Sequence, residues 1–382
     1  MLLSKENITL VNIILLQQCF GAGSVKAVKI FNILRDAEML DNVLSLTDLT
    51  ALIDKKDADK IYNFDKDKIY KIIDDCTSNS INIITFCDNE YPAILRNISD
   101  YPLVLYIKGD FSFVEDEPLI SVVGPRKISD FGKKAAFSLA KRLAKAGMVI
   151  VSGAALGADT FAHKGALAAC GKTIAVLGCG ICYDYLPENR ALRNEISRNG
   201  CLISEYPPFA AATKYSFPVR NRIISALSLG TVVIEASLKS GSLITARLAN
   251  DQGRDVFVIP GNPTLENYKG SNALLRDGAI PLLDASDIFN QYVTKFPDKI
   301  DIEKAFVEEK EKSVKKIQKN LHIDLSNEAK IVYNNMNNEK FTVDDLLVLG
   351  LSDDNLLSAL TELEIEGVIK ALPGGVYQIT NN

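Results

Sequence analysis

Six short apolar runs in the middle of the chain limit its fold more than any other feature. They read LISVVG (119–124), MVIVSG (148–153), TIAVLG (173–178), CLISE (201–205), TVVIEA (231–236) and DVFVIPG (255–261). Each is short, aliphatic and largely β-branched, and each is followed by a turn, which is the pattern of a buried strand. Stretches with helical spacing separate most of them: DFGKKAAFSLAKRLAKAG, ADTFAHKGALAAC, ENRALRNEISRNG, RNRIISALSLG and SLITARLANDQG. Strands without polar alternation, joined by amphipathic helices, need a parallel sheet covered on both faces. The expectation is therefore an α/β domain with a doubly wound sheet. No fixed repeat period accompanies the alternation.

The flanks have a different texture. Residues 1–80 read as helical: LVNIILLQQCF has helical spacing, and the Gly-x-Gly turn of GAGSVKAVKIF opens a second helix. Helix, glycine turn and helix is the layout of a SAM-like or helix-hairpin-helix module, whose turn can aim N–H groups at a phosphate. A plain helical pair is the better-weighted reading of that pattern alone. The stretch DKKDADKIYNFDKDKIYKIIDD (54–75) predicts solvated helices ahead of a boundary near Ser80. The α/β domain then spans 81–295, and DKIDIEKAFVEEKEKSVKKIQKN marks a charged linker over 296–325. Residues 326–382 read as three short helices and a Gly-rich hairpin, a small winged-helix domain.

Charge sharpens the division. The 382 residues carry 43 Lys and Arg against 48 Asp and Glu, a net −5 that by itself argues against a nucleic-acid partner. Its distribution argues otherwise. Residues 121–280 hold 20 Lys and Arg against 11 Asp and Glu, and the rest of the chain 23 against 37. A basic centre between acidic flanks points to one anionic partner engaged by one domain. No apolar run approaches the roughly 18 residues of a membrane span, and MLLSKENITL lacks the order of a signal peptide. Seven cysteines, an odd number scattered through apolar segments, predict reduced thiols and a cytoplasmic protein.

In an open parallel sheet, ligands sit beyond the carboxyl ends of the strands. Arg126 and Lys127 place two cations directly after the first apolar run, beside Gly124. Ser240-Gly241-Ser242 opens a helix and offers N–H groups and hydroxyls to an anion, although Ser240 as a simple N-cap is the bland alternative. Lys214-Tyr215-Ser216-Phe217-Pro218-Val219-Arg220-Asn221-Arg222 is the most informative stretch. Its cations suit phosphate, and the Phe217 face suits an unpaired base; stacking is worth about 1–3 kcal/mol whatever the base. The competing reading buries Phe217 under the loop and pairs Arg220 with Glu205 or Glu235.

Enzyme signatures are sparse. Neither G-x-x-x-x-G-K-[ST] nor G-x-G-x-x-G follows a strand, and Gly178-Cys179-Gly180 is only a fragment of the second. His163 and His322 are the only histidines, and His163, four residues after Asp159, reads as a structural contact. Cys179-x-x-Cys182 lacks the second pair a zinc site needs. The expectation is a non-catalytic protein with no metal and no cofactor.

Ordered blocks then carry a resemblance: VVGPRKISDFG, SGAALGADTFAHKGAL, GKTIAVLGCGICYDYLPENRAL, SEYPP, FPVRNRIISALS, VVIEASLKSGSLITARLANDQGRDVFVIPG and KGSNALLRDGA, with DNEYPAILRNISDYPLVLYIKGD upstream. The chain resembles the DNA-processing protein A (DprA, or Smf) family. That resemblance implies a Rossmann-like central domain that binds single-stranded DNA, dimerises, and loads the RecA recombinase during natural transformation. By motif it implies DNA contacts from Gly124, Arg126, Lys127, Lys214, Phe217, Arg220, Asn221, Arg222, Ser240, Gly241, Ser242 and Thr245. Departures are Pro125 for a small hydroxyl residue, and Leu156 and Ala158 for Arg and Ile. From Leu325 to Asn382 there are 3 Lys against 9 Asp and Glu, including Asp354, Glu362, Glu364 and Glu366 near the expected recognition helix. Such a surface repels phosphate, so that domain is expected to contact protein. The competing function is a nucleotide-processing enzyme of the LOG phosphoribohydrolase type, with Glu235 as its glutamate. Its P-G-G-x-G-T motif is absent, since the only PGG (373–375) lies in the C-terminal hairpin.

Overall fold

All six apolar runs become strands of one nine-stranded sheet. They are β3 (Leu119–Val123), β4 (Val149–Ser152), β5 (Thr173–Leu177), β6 (Gly200–Ser204), β7 (Gly230–Val233) and β8 (Asp255–Val258). The computed structural model describes residues 5–306, 325–336 and 340–380, in two units, Met1–Ala305 and Phe306–Asn382. Three further strands join the sheet: β1 (Asn82–Thr85), β2 (Val104–Gly109) and β9 (Ile280–Pro281). Their order is β1-β2-β6-β5-β4-β3-β7-β8-β9, with β3 to β9 all parallel. From β3 the chain steps outward through β4, β5 and β6, then returns to lay β7 against the other side of β3. The direction of winding thus reverses between β3 and β7, the switch point of a doubly wound, Rossmann-like α/β fold.

Strands β1 and β2 depart from the expected all-parallel pattern. They form an antiparallel pair (Ile83 opposite Tyr106), and β2 runs antiparallel to β6 (Ile107 opposite Ile203). They precede β3 in the chain and are joined without a helical crossover, so antiparallel pairing is the available geometry.

Helices fall where the spacing places them: α6 (Asp130–Lys145), α7 (Ala158–Ala168), α8 (Arg190–Asn199), α9 (Ser216–Ala226) and α10 (Ser242–Asp251). Ser129 caps α6 by accepting from the Gly132 N–H. Helix α9 starts four residues before the expected stretch, and its Pro218 sits in the first turn, where no intrahelical N–H is lost. Helices α11 (Lys269–Arg276) and α12 (Ser286–Tyr292) close the unit.

The N-terminal residues fold as α1 (Lys5–Phe20), α2 (Val25–Asp36), α3 (Leu46–Leu52), α4 (Lys55–Tyr62) and α5 (Asp67–Ser78). Ile13, Ile14, Leu16, Phe31 and Leu34 share one hydrophobic core with Val104, Leu105 and Ile203 of the sheet. Gln17 clamps the two together: its amide donates to the Glu205 carbonyl, and its oxygen accepts from the Val104 N–H at 2.8 Å. The glycine turn holds no phosphate geometry of its own. The Gly23 N–H donates 3.0 Å to the Glu205 carboxylate at the end of β6, so the plain-pair reading holds and the turn is a fastening.

The second unit has α13 (Asn327–Asn335), β10 (Lys340–Thr342), a 3-10 turn (Asp344–Leu349), α14 (Asp353–Ile365), β11 (Ile369–Leu372) and β12 (Val376–Ile379). Its sheet order is β10-β12-β11, over a core of Ala329, Val332, Phe341, Leu356, Leu360 and Leu363. This is a winged helix whose middle helix is reduced to 3-10. Pro373-Gly374-Gly375 turns its hairpin, with both glycines at positive φ. Asp353, Asp354, Glu364 and Glu366 lie exposed on and just past α14. Glu362 instead accepts from the Ser326 N–H and hydroxyl, which hold its carboxyl below the usual range. Of the charged linker expected over 296–325, residues 307–324 lie outside the described residues.

Candidate functional site

The chain ends of β3 and β7 part at the switch point, and a cleft of about 400 Å³ opens there. Its walls come from three places in the sequence: Gly124-Pro125-Arg126 after β3, Phe217-Pro218 and Asn221 of α9, and Ser237 through Thr245 at the start of α10. The structure therefore gathers Gly124, Arg126, Phe217, Arg220, Asn221, Ser240, Gly241, Ser242 and Thr245 around one space. Lys127 and Lys214 are exposed on the adjoining loops, and Arg222 is elsewhere.

The Arg126 turn is held from behind. Gly157 has φ +82°, and a Cβ there would lie 2.2 Å from the Pro125 carbonyl oxygen and 2.5 Å from that of Arg126. Only glycine lets the β4–α7 loop press so close. The Ala158 N–H then donates to the Pro125 carbonyl at 3.2 Å. Asn189 braces the same loop, donating to the carbonyls of Ala154 (3.0 Å) and Ala155 (3.3 Å) and to the Thr160 hydroxyl (2.9 Å). The departures fit this arrangement: Pro125 serves through its carbonyl, Ala158 is wholly buried, and Leu156 puts an exposed apolar side chain on the edge.

The cations divide into a rim and a floor. On the rim, the Arg126 guanidinium lies 4.9 Å over the centroid of the half-buried Phe217 ring, and Tyr185 packs on that ring at 5.2 Å. The Lys214 ammonium lies 5.0 Å over Tyr215, which is 72% exposed. None of Arg126, Lys127 and Lys214 is in an ion pair among the described residues. On the opposite wall, Gly241 N-caps α10 with open space where a side chain would stand, while the Ser240 and Ser242 hydroxyls share a hydrogen bond at 2.7 Å. Thr245 is buried one turn further in.

On the floor, Arg220 is 5% exposed and spends its guanidinium internally, donating to the Gly153 carbonyl at 2.7 Å, to the Val176 carbonyl and to Asn221 Oδ1 at 3.1 Å. Burial pulls its pKa down from the usual value, opposed by the nearby Asp159. Asp159 accepts from the Gly153 and Ala155 N–H groups; burial raises its carboxyl and Arg220 opposes the rise. Arg220 thus carries the strand ends of β4 and β5 rather than a ligand.

Arg222 is the plain correction. It is 3% exposed, its Nη2 bonds Glu205, and its Nε lies 3.5 Å from Asp100. Burial raises the Glu205 carboxyl and Arg222 opposes that rise. The reason is geometric: residues two apart on a helix point to different sides, so Arg220 and Arg222 cannot line one strip. The alternative pairing of Arg220 with Glu205 or Glu235 is not formed either; Arg222 takes Glu205.

The remaining chemistry-bearing residues are structural. Glu235, fully buried, accepts from the Ser129 N–H (3.2 Å), the Ser129 hydroxyl and the Tyr268 hydroxyl (3.1 Å). His163 shares a 2.8 Å hydrogen bond with Thr173 rather than meeting Asp159, and burial pushes its pKa down to about 3. Burial lifts the Cys179 thiol to about 11. Among the described residues no cluster fit to hold a metal occurs, and no helix is long and apolar enough to cross a membrane. Sequence reasoning missed Tyr185 and Asp159. Tyr185 follows the Gly178-Cys179-Gly180 turn at a strand's carboxyl end, so the strand-end rule would have reached it.

Comparison with known proteins gives consistent matches. The family model described as DNA recombination-mediator protein A matches residues 82–293, and that of the DprA winged helix domain matches residues 320–375. The DNA processing protein DprA of Bacillus subtilis is 38% identical over 224 residues, 59% of this chain and 75% of that protein. The protein of the same name from Streptococcus pneumoniae is 37% identical over 236 residues, 62% and 78%. An X-ray structure of DprA from Streptococcus pneumoniae superposes with a TM-score of 0.65 at 32% identity, covering 76% of this chain and 98% of that one. DNA processing protein A from Helicobacter pylori, whose structure was described for its single-stranded DNA binding mode, superposes with a TM-score of 0.51 at 33% identity, covering 56% and 97%.

Proposed function

The chain belongs to the DNA recombination-mediator protein A family, and from that membership we propose that it binds single-stranded DNA in the cleft between β3 and β7. The observation that carries this reading is the rim: Arg126 on Phe217, Lys127 beside it, Lys214 on Tyr215, all exposed and none ion-paired among the described residues. Cations adjoining aromatic faces fit a phosphate backbone with splayed bases. The helix start at Ser240–Ser242 supplies a further phosphate seat, with Gly124, Asn221 and Thr245 shaping the wall. Arg220 and Arg222 have structural roles in this reading. The protein acts without chemistry of its own, because Glu235, the residue a LOG-type hydrolase would need, is buried and committed to Ser129 and Tyr268.

Within the same proposal, bound strand is protected and handed to the RecA recombinase by a homodimer in the cytoplasm during natural transformation. The domain at 81–295 holds DNA, and the acidic winged helix at 326–382 meets protein. The test is a titration of single- and double-stranded oligonucleotides at several salt concentrations. Wild type should prefer single strands with a steep salt dependence. The Arg126→Ala, Lys214→Ala double variant should lose about 0.7 units of slope per phosphate contact removed. Unchanged affinity in that variant would refute the assignment.

A further inference from the structure

We infer that a second nucleobase seat lies behind Phe217, between its ring and that of Tyr185. The inference rests on the single-strand reading of the cleft and adds a part that the cleft lacks. Phe217 is the wall between two voids. On the cleft side its ring carries the Arg126 guanidinium. On the other side is a narrow void of about 20 Å³, bordered by Phe217, Tyr183, Tyr185, Arg193 and the backbone of Gly178. That is room for about one water, so a base enters only when a wall moves.

The lining fits such an occupant. Three aromatic rings and a guanidinium supply stacking faces and hydrogen-bond donors, the combination that recognises unpaired bases. The Phe217 and Tyr185 rings stand at 5.2 Å with a 40° tilt, neither offset-stacked nor edge-on. Two rings packed only for each other settle into one of those two geometries. Both tyrosines sit on residues 178–186, which form neither helix nor strand, and Tyr183 is 38% exposed at the mouth. Arg193 anchors that segment from α8, donating to the Leu186 carbonyl at 3.1 Å. Tyr185 is therefore the movable wall and Phe217 the fixed one.

The consequence is strand selectivity. With phosphates on the rim cations, a single strand can turn one base under Phe217 and sandwich it against Tyr185. A duplex must first unpair and unstack that base, at a cost of a few kcal/mol.

The chain has no tryptophan, so Tyr185→Trp gives one indole reporter that keeps an aromatic plane in the seat. The probe is a short oligothymidylate at saturating protein. The indole emission should be quenched as the base stacks. Tyr185→Ala should bind about 5- to 150-fold more weakly, and Tyr185→Phe should bind like wild type, with thermal melting confirming that each variant is folded. Unmoved indole emission on binding, or a folded Tyr185→Ala with wild-type affinity, overturns the seat and leaves the cleft reading standing. No binding by wild type overturns both.

Discussion

Replacing Arg222 by alanine separates a structural arginine from a DNA-contacting one. The Arg222 guanidinium is 3% exposed and the Glu205 side chain is as deeply buried. Removing it leaves the carboxylate in the interior with only the Gly23 N–H for a polar partner. Breaking a buried pair from one side costs about 3–5 kcal/mol, most of it the stranded charge. Burial already raises the Glu205 carboxyl, and Arg222 is the main group opposing that rise. In Arg222→Ala the folded carboxyl therefore rises further above its unfolded value. A raised carboxyl favours folding below its unfolded pKa and loses that advantage as pH climbs, so the deficit should be large at neutral pH and shrink toward pH 4–5. Adding Glu205→Gln should recover much of the loss, because no charge remains to strand. Urea unfolding over a pH series measures all of this. DNA titration of the folded fraction supplies the contrast, since the salt slope should match wild type. Wild-type stability together with a slope reduced by about 0.7 units would return Arg222 to the phosphate-binding set and refute the reasoning.

Two further outcomes follow from groups already described. His163 is buried and neutral, with its pKa at about 3 against 6.5 for the free side chain. As pH falls below 6.5 the unfolded chain gains a proton the folded chain refuses, so stability drops by about 1.4 kcal/mol per unit until about pH 3. A pH series on His163→Gln should show that slope flattened, and an unchanged slope would dismiss the residue as its source. Gly157→Ala puts a Cβ at positive φ and against the Pro125 and Arg126 carbonyls; strain alone should cost about 1–3 kcal/mol. Because those carbonyls carry the Arg126 turn, oligonucleotide affinity should fall too, and wild-type stability and affinity would show that the contact gives way freely.

Much of this was legible in the sequence for a specific reason. Buried parallel strands have no solvated face, so β3 to β8 announce themselves as unbroken apolar runs. The strand-end rule then leads to Arg126 and to Ser240–Ser242 before any coordinates. Strands β1 and β2 were not read because NIIT and VLYIKG lie in a stretch broken by Asp, Pro and Gly, with no helix between them to reveal the alternation. The interior arginines were misread for a different reason: a cation counts the same in a charge tally whether it meets phosphate, a carbonyl or Glu205. Helical phase held the missing signal, since Arg220 and Arg222 flank Asn221 on a helix otherwise composed of Ile, Ser, Ala and Leu. Tyr185 is invisible to composition altogether, because its partner is brought to it by α9, some thirty residues later.

The two margins of the large sheet bear on how copies of this domain can meet. On one side the last strand, β9, is two residues long and ends in Pro281, which has no N–H to offer a newcomer. On the other, β1 has only four residues, with Thr85 buried. Neither margin presents a long row of unsatisfied backbone groups, so growth of the sheet by strand addition from another copy is discouraged at both ends. Self-association of this domain must then be written in side chains, on helix and loop surfaces. It can accordingly be weakened or strengthened one residue at a time without touching the sheet that sets the cleft.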